Sequence, residues 1–223
     1  MRTAPFTAAR PSNPAVVWQN HLQGEDLGDL KLYRIPVPVT VGARSQKQVA
    51  FLDRQAVEGR LLYQAQCYPY AENEVAQESS ILFATVNDEE HGLGVALPSG
   101  GIAFFEPTPN GELLVGEQQL RDYASGQDVE LALGTSAQVM TQCERLSKLV
   151  SGEGAATWTR MRSTLTNANP DPVTVRLQLG SPGEWAHRGV RTQLKDGQRI
   201  IEVTVPGNGT RVINWELRSA TAG

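Results

Sequence analysis

The sequence predicts an all-β protein, an antiparallel sandwich of two packed parts with the C-terminal one immunoglobulin-like. Three observations carry this reading. Val173, Val175, Leu177 and Leu179 alternate with Thr174, Arg176 and Gln178, and Ile213, Trp215 and Leu217 alternate with Asn214 and Glu216. Period two places one set on each face of a strand. The runs are closed by turn-forming groups such as Asn110-Gly111, Gly152-Glu153-Gly154, Asn169-Pro170-Asp171-Pro172 and Gly207-Asn208-Gly209, which supply positive or fixed φ where the chain reverses. No 3.6-residue apolar stripe persists, and the nearest approach, 141–150, reads as a strand continuation or a single turn.

In chain order, residues 1–17 are a Pro-rich, disordered lead-in. Strands are expected at 31–35, 46–53, 60–68, 80–86, 93–98, 101–106, 112–117, 128–133 and 136–143, giving a larger antiparallel region over 18–150. Strands at 156–166, 172–179, 198–205 and 210–218 form a small sandwich over 151–223. Ile35-Pro36-Val37-Pro38 loses ladder donors and reads as an edge or an extended crossover. Lys47, on the following strand, guards that edge.

The 223 residues suffice for a substantial core. The hydrophobic fraction of 40% is that of a globular chain. A net charge of -4 without a long Lys/Arg run argues against nucleic acid as a partner. No apolar stretch reaches membrane-spanning length. The N-terminus carries Arg2, but three prolines stand where a signal peptide has its apolar region. Cys67 and Cys143 read either as two buried thiols, the favoured reading, or as a disulfide.

Three stretches resemble one bacterial family. They are YRIPVPVTVGARSQKQVAFL (33–52), LGVALPSGGIAFFEPTPNGELLVGEQQLRDYASGQDVELALG (93–134) and LTNANPDPVTVRLQLGSPGEW (165–185). The pattern runs through Ser45-Gln46-Lys47-Gln48-Val49, Leu97-Pro98-Ser99-Gly100, Gly116-Glu117 and Leu133-Gly134. The order of these steps is similar to the C-terminal domain of mucoidy-inhibitor-A-like proteins, a domain of unknown function. The resemblance implies a β-rich bacterial protein of the envelope, periplasmic or exported. Its partner would be another protein or the N-terminal β and coiled-coil regions that longer members carry. It implies no catalytic residue and no cofactor.

The residues themselves offer few chemical constellations. G-x-S-x-G, P-loop, H-E-x-x-H and C-x-x-C patterns are all missing. Asn87-Asp88-Glu89-Glu90-His91 is the densest polar run. As a loop it offers Asp88, Glu90 and His91 to a metal, or loop carboxylates to a hydrolase, against the plainer reading of a solvated turn. His21, His91 and His187 show no ligand spacing. Trp215 is expected in the core, Trp185 in packing and Trp18 at an edge. Trp158 shares strand parity with Arg160 and Arg162, opposite Met161 and Leu165. That trio is a candidate binding site for a polysaccharide, or else a cross-strand cation–π cluster. Asn208-Gly209-Thr210 fits a glycosylation sequon, but a tight turn is the preferred reading. The leading functional expectation is therefore a non-enzymatic structural or protein-interaction module, with a carbohydrate-binding module second and a hydrolase third.

Overall fold

The computed structural model describes residues 7–8, 24–27, 30–33, 38, 40–46, 52–54, 56–68, 73–148 and 157–220. Among these the chain is all-β, without a helix. The strands are β1 (Thr7–Ala8), β2 (Gly24–Leu27), β3 (Leu30–Tyr33), β4 (Arg60–Gln66), β5 (Asn73–Val86), β6 (Gly100–Thr108), β7 (Gly111–Leu120) and β8 (Asp128–Arg145), followed by β9 (Thr159–Asn167), β10 (Val173–Gly180), β11 (Trp185–Arg188), β12 (Gln193–Lys195), β13 (Gln198–Val205) and β14 (Gly209–Ser219). Nine of them form one sheet in the order β11-β14-β9-β8-β5-β4-β10-β13-β12. Its one parallel pair among the registers described is β4 with β10, with Val175 opposite Tyr63, so the sheet is mixed.

Contacts divide the chain into two compact units that interleave in sequence. One holds 61–83 and 132–223, the other 2–60 and 84–131. This grouping differs from the expected boundary at 150. The strands of 151–223 do not close on themselves but share a sheet with β4, β5 and β8. Two residues of the expected disordered lead-in, Thr7 and Ala8, pair with Phe105 and Phe104 of β6. Trp18, His21, Lys47 and the Pro36-Val37 step lie outside the described residues.

In the first unit the large sheet curls, so that β13 packs against β9 and β14. The core between them follows strand parity. On β9 the odd residues from Thr159 to Asn167 are buried and the even ones face outward. Met161 and Leu165 meet Val175, Leu177 and Leu179 of β10, Val205 of β13 and Trp215 and Leu217 of β14. Cys67 and Cys143 are joined by a disulfide, with Cα atoms 5.7 Å apart and 76 positions between them in sequence. The favoured reading of two free thiols is thereby corrected. Strand spacing alone could not show that the residue just past β4 and the C-terminal end of β8 meet in the core. The Trp215 indole N–H donates to Ser163 Oγ at 3.0 Å, and Ser163 Oγ lies 3.2 Å from Cys67 Sγ. The one polar group on the buried edge of this tryptophan is therefore satisfied.

Parity fails to predict one residue. Arg176 belongs to the polar set of β10, yet it is only 3% exposed. It pairs with Glu202, its cross-strand neighbour on β13, at 2.8 Å. A central strand can be covered on both faces, and a buried guanidinium then needs a carboxylate.

The turn residues are tied to one another. Asn167 is buried, and its amide donates to the carbonyls of Asp171 (2.9 Å) and Pro206 (3.0 Å). Asn208 N–H donates to Asn169 O at 2.8 Å. Gly207 fits between these turns because it has no side chain, and a Cβ there would collide with the Pro170 carbonyl. Gly207→Ala is expected to lower stability by about 2 kcal/mol through local overpacking, measured as a shift in the urea midpoint at unchanged m. Asn208 occupies the turn with φ of 48°, as the turn reading of Asn208-Gly209-Thr210 requires.

In the second unit, β6 and β7 form a hairpin. Thr108 stands opposite Gly111, so Pro109 and Asn110 are the turn and Gly111 already belongs to β7. The strand expected over 93–98 is reduced to a single bridge between Leu97 and Tyr123. Gly92 and Gly94 both have positive φ, which a regular strand does not accommodate.

Candidate functional site

The outer faces of β9, β14 and β11 carry the densest chemistry. Cross-strand register fixes the rows. Glu216 of β14 lies opposite Arg160 of β9 on one side and Arg188 of β11 on the other. One row along, Asn214 lies opposite Arg162, which in turn faces Glu144 of β8. Trp158 stands just ahead of β9 with the same parity. These are the even-numbered, outward residues that remain when the odd-numbered ones fill the core.

A groove of about 570 Å³ opens here, lined by Ser147, Lys148, Thr157, Trp158, Arg160, Arg188 and Glu216. The span between Lys148 and Thr157 lies outside the described residues. Arg188 Nε donates to Glu216 Oε2. The Arg188 guanidinium lies 4.3 Å from the centre of the Trp158 ring and that of Arg218 lies 5.0 Å from it. Stacking on an aromatic holds a guanidinium flat while leaving its N–H edge to bind an oxyanion. The Arg218 Nε is buried without a hydrogen-bond partner.

The expected trio is thus only partly assembled. Trp158 and Arg160 line one groove. Arg162 does not line it; its guanidinium points to Asn214 at 3.5 Å and Glu144 at 4.0 Å. The ring of Trp158 is occupied by Arg188 and Arg218 instead. Lys148, Arg188, Glu216 and Arg218 were not singled out by sequence reasoning. Glu216 and Arg218 had a legible signal, because they share parity on a clear strand. Arg188 had none, because β11 is four residues long and its register depends on tertiary pairing.

His187 borders this cluster on the opposite parity. Its Nε2 donates to the Leu179 carbonyl at 3.1 Å, and its ring lies 5.7 Å from that of Trp215. Burial holds the imidazole below the ordinary histidine value, the Arg199 charge adds to this, and the Leu179 hydrogen bond opposes it. The unfolded chain therefore takes up this proton at a higher pH than the folded one. Stability is full above the unfolded value of about 6.5 and falls as pH drops through the folded value. Denaturant midpoints measured between neutral and mildly acidic pH should decline, and His187→Gln should flatten the decline.

The acidic run 87–91 is a turn, as expected for a loop. Asp88 Oδ1 accepts from His91 Nδ1 at 2.6 Å and from His91 N at 2.9 Å. These bonds, the side-chain one foremost, hold the Asp88 carboxyl below the usual carboxylate range. Asp88 is thus turned onto its own loop, while Glu89 and Glu90 are exposed. Among the described residues no three His, Cys, Asp or Glu side chains are grouped to hold an ion, so Asp88, Glu90 and His91 are not brought together as one ligand set. The structural role falls to Asn87. It is fully buried and donates to the carbonyls of Val95 (2.7 Å) and Ala124 (2.9 Å).

A second groove of about 390 Å³ is lined mainly by neutral polar groups, including Gln64, Gln66, Tyr68 and Gln77. It lacks the cationic character of the first. Compared with protein-family models, with curated proteins and with solved structures, the chain matches none significantly.

Proposed function

We propose that this chain is a non-enzymatic interaction module, working in the envelope or exported space of a bacterium and binding a protein partner through the Trp158 groove. The observation that carries this reading is the groove's composition. It gathers Lys148, Arg160 and Arg188 around one carboxylate, Glu216, on an outer sheet face. Such a set attracts an anion, but it offers neither an activated nucleophile nor an acid–base pair. The family resemblance and the Cys67–Cys143 bridge favour an oxidising location.

A polysaccharide partner is the competing reading. A sugar would stack on Trp158, and that ring is already engaged by Arg188 and Arg218. The hydrolase reading has less support, since Asp88 is bonded to His91 within its own turn.

The test is affinity capture. Immobilised protein is exposed to bacterial envelope extract, and retained proteins and glycans are identified separately. A defined protein retained by the native chain and lost with Arg160→Glu supports the module. Retention of a glycan alone, lost with Trp158→Ala, replaces the protein partner by a polysaccharide.

A further inference from the structure

We infer that the Trp158 groove binds an acidic segment of the partner protein, and that Glu216 is a built-in competitor occupying part of that site. This deepens the interaction-module reading and rests on it.

The charge distribution is the first argument. The chain as a whole carries a net charge of -4. Among the described residues that line the groove, stack on Trp158 or form the Arg162–Glu144 pair beside it, five are cationic, Lys148, Arg160, Arg162, Arg188 and Arg218, and two are carboxylates, Glu144 and Glu216. A positive patch on an otherwise acidic chain attracts an anionic partner.

The second argument is Glu216 itself. It is a glutamate side chain already seated on the arginine array, bonded to Arg188 and opposite Arg160 in the ladder. The geometry that accepts it is suited to an aspartate or glutamate arriving from outside. One carboxylate between two arginines leaves donor capacity unused: among the described residues neither Arg160 nor Lys148 forms an ion pair. Each guanidinium presents more N–H groups than one carboxylate can accept.

The third argument is Trp158. With two guanidiniums over its ring, it works as a platform that orients arginines. That favours recognition of carboxylates over stacking of a neutral sugar ring. Arg188 and Arg160 are exposed, so an extended acidic segment can reach their forks from solvent.

Calorimetric titration with three probes tests this: short poly-L-glutamate, an uncharged Gly-Ser peptide and polygalacturonate. The native protein should bind polyglutamate, more weakly as salt rises, and leave the Gly-Ser peptide unbound. Arg160→Gln and Arg188→Gln should each weaken binding about tenfold, the scale of one charge-assisted hydrogen bond. Glu216→Gln should tighten it about threefold or more, by removing a competing charge of surface strength. Arg160 is exposed, so its variant keeps the inference testable even if Arg188→Gln misfolds. Tighter binding of polygalacturonate than of polyglutamate overturns the inference, as does an unchanged affinity in Glu216→Gln. A captured partner that polyglutamate does not displace also overturns it while leaving the module reading standing. Failure to capture any partner overturns the module reading itself.

Discussion

Replacing Cys67 and Cys143 together by alanine is expected to lower the unfolding free energy by about 4.5 kcal/mol, the chain-entropy value for a loop of this length. The bridge spans 76 positions. It joins the end of β4 to β8 across the core formed by Val139, Met161, Leu177 and Trp215. Opening it frees the unfolded chain over that whole loop and leaves two small voids beside Ser163. Equilibrium unfolding in guanidinium, with native and double-alanine proteins compared at one pH, measures the loss. A loss under about 1 kcal/mol would mean that the sheet is held without the bridge. Thiol titration is the companion measurement, and no free thiol should react in the folded protein.

Glu202→Ala should cost about 3 kcal/mol, because it deprives a buried guanidinium of its carboxylate. Arg176 is 3% exposed and bonded to Glu202 through both Nε (2.9 Å) and a terminal nitrogen (2.8 Å). The paired substitution Arg176→Met with Glu202→Leu should recover most of that loss, since an apolar pair of similar volume avoids desolvating two charges. A double-mutant cycle in urea reads the coupling directly. Equal destabilisation by the single and the paired substitutions would show that packing around β10 and β13, not charge, dominates.

Much of the strand framework was legible, and the exceptions have physical causes. β13 follows 198–205 residue for residue, because Gln-Arg-Ile-Ile-Glu-Val-Thr-Val is bounded by Gly197 and Pro206. The expected strands 128–133 and 136–143 are one strand, β8, which passes through Gly134 at a φ of 131°. Glycine there marks an irregularity within a strand rather than its end. The short strands β11 and β12 carry too few residues for alternation to be read. Period two puts Arg176 in the polar set of β10, but it reports which residues share a face, not whether that face is covered.

The groove was legible in part for the same reason. Trp158 and Arg160 share parity on one strand, and this is visible in the sequence. That Arg188 and Glu216 join them depends on β11 pairing with β14 and β14 with β9. Those pairings link residues far apart in the chain, and no local pattern encodes them. The disulfide has the same character. Neither cysteine's neighbours announce it, and only the curl of the sheet brings the two together.

Hydrogen–deuterium exchange of the protein with and without its captured partner tests the central claim most directly. The account predicts that protection on binding is concentrated in peptides covering 157–162, 185–188 and 214–218, where the cationic outer face lies, and that it is lost in Arg160→Glu. Protection confined to other segments, such as the β6–β7 hairpin at 100–120, with those three unchanged, would contradict it.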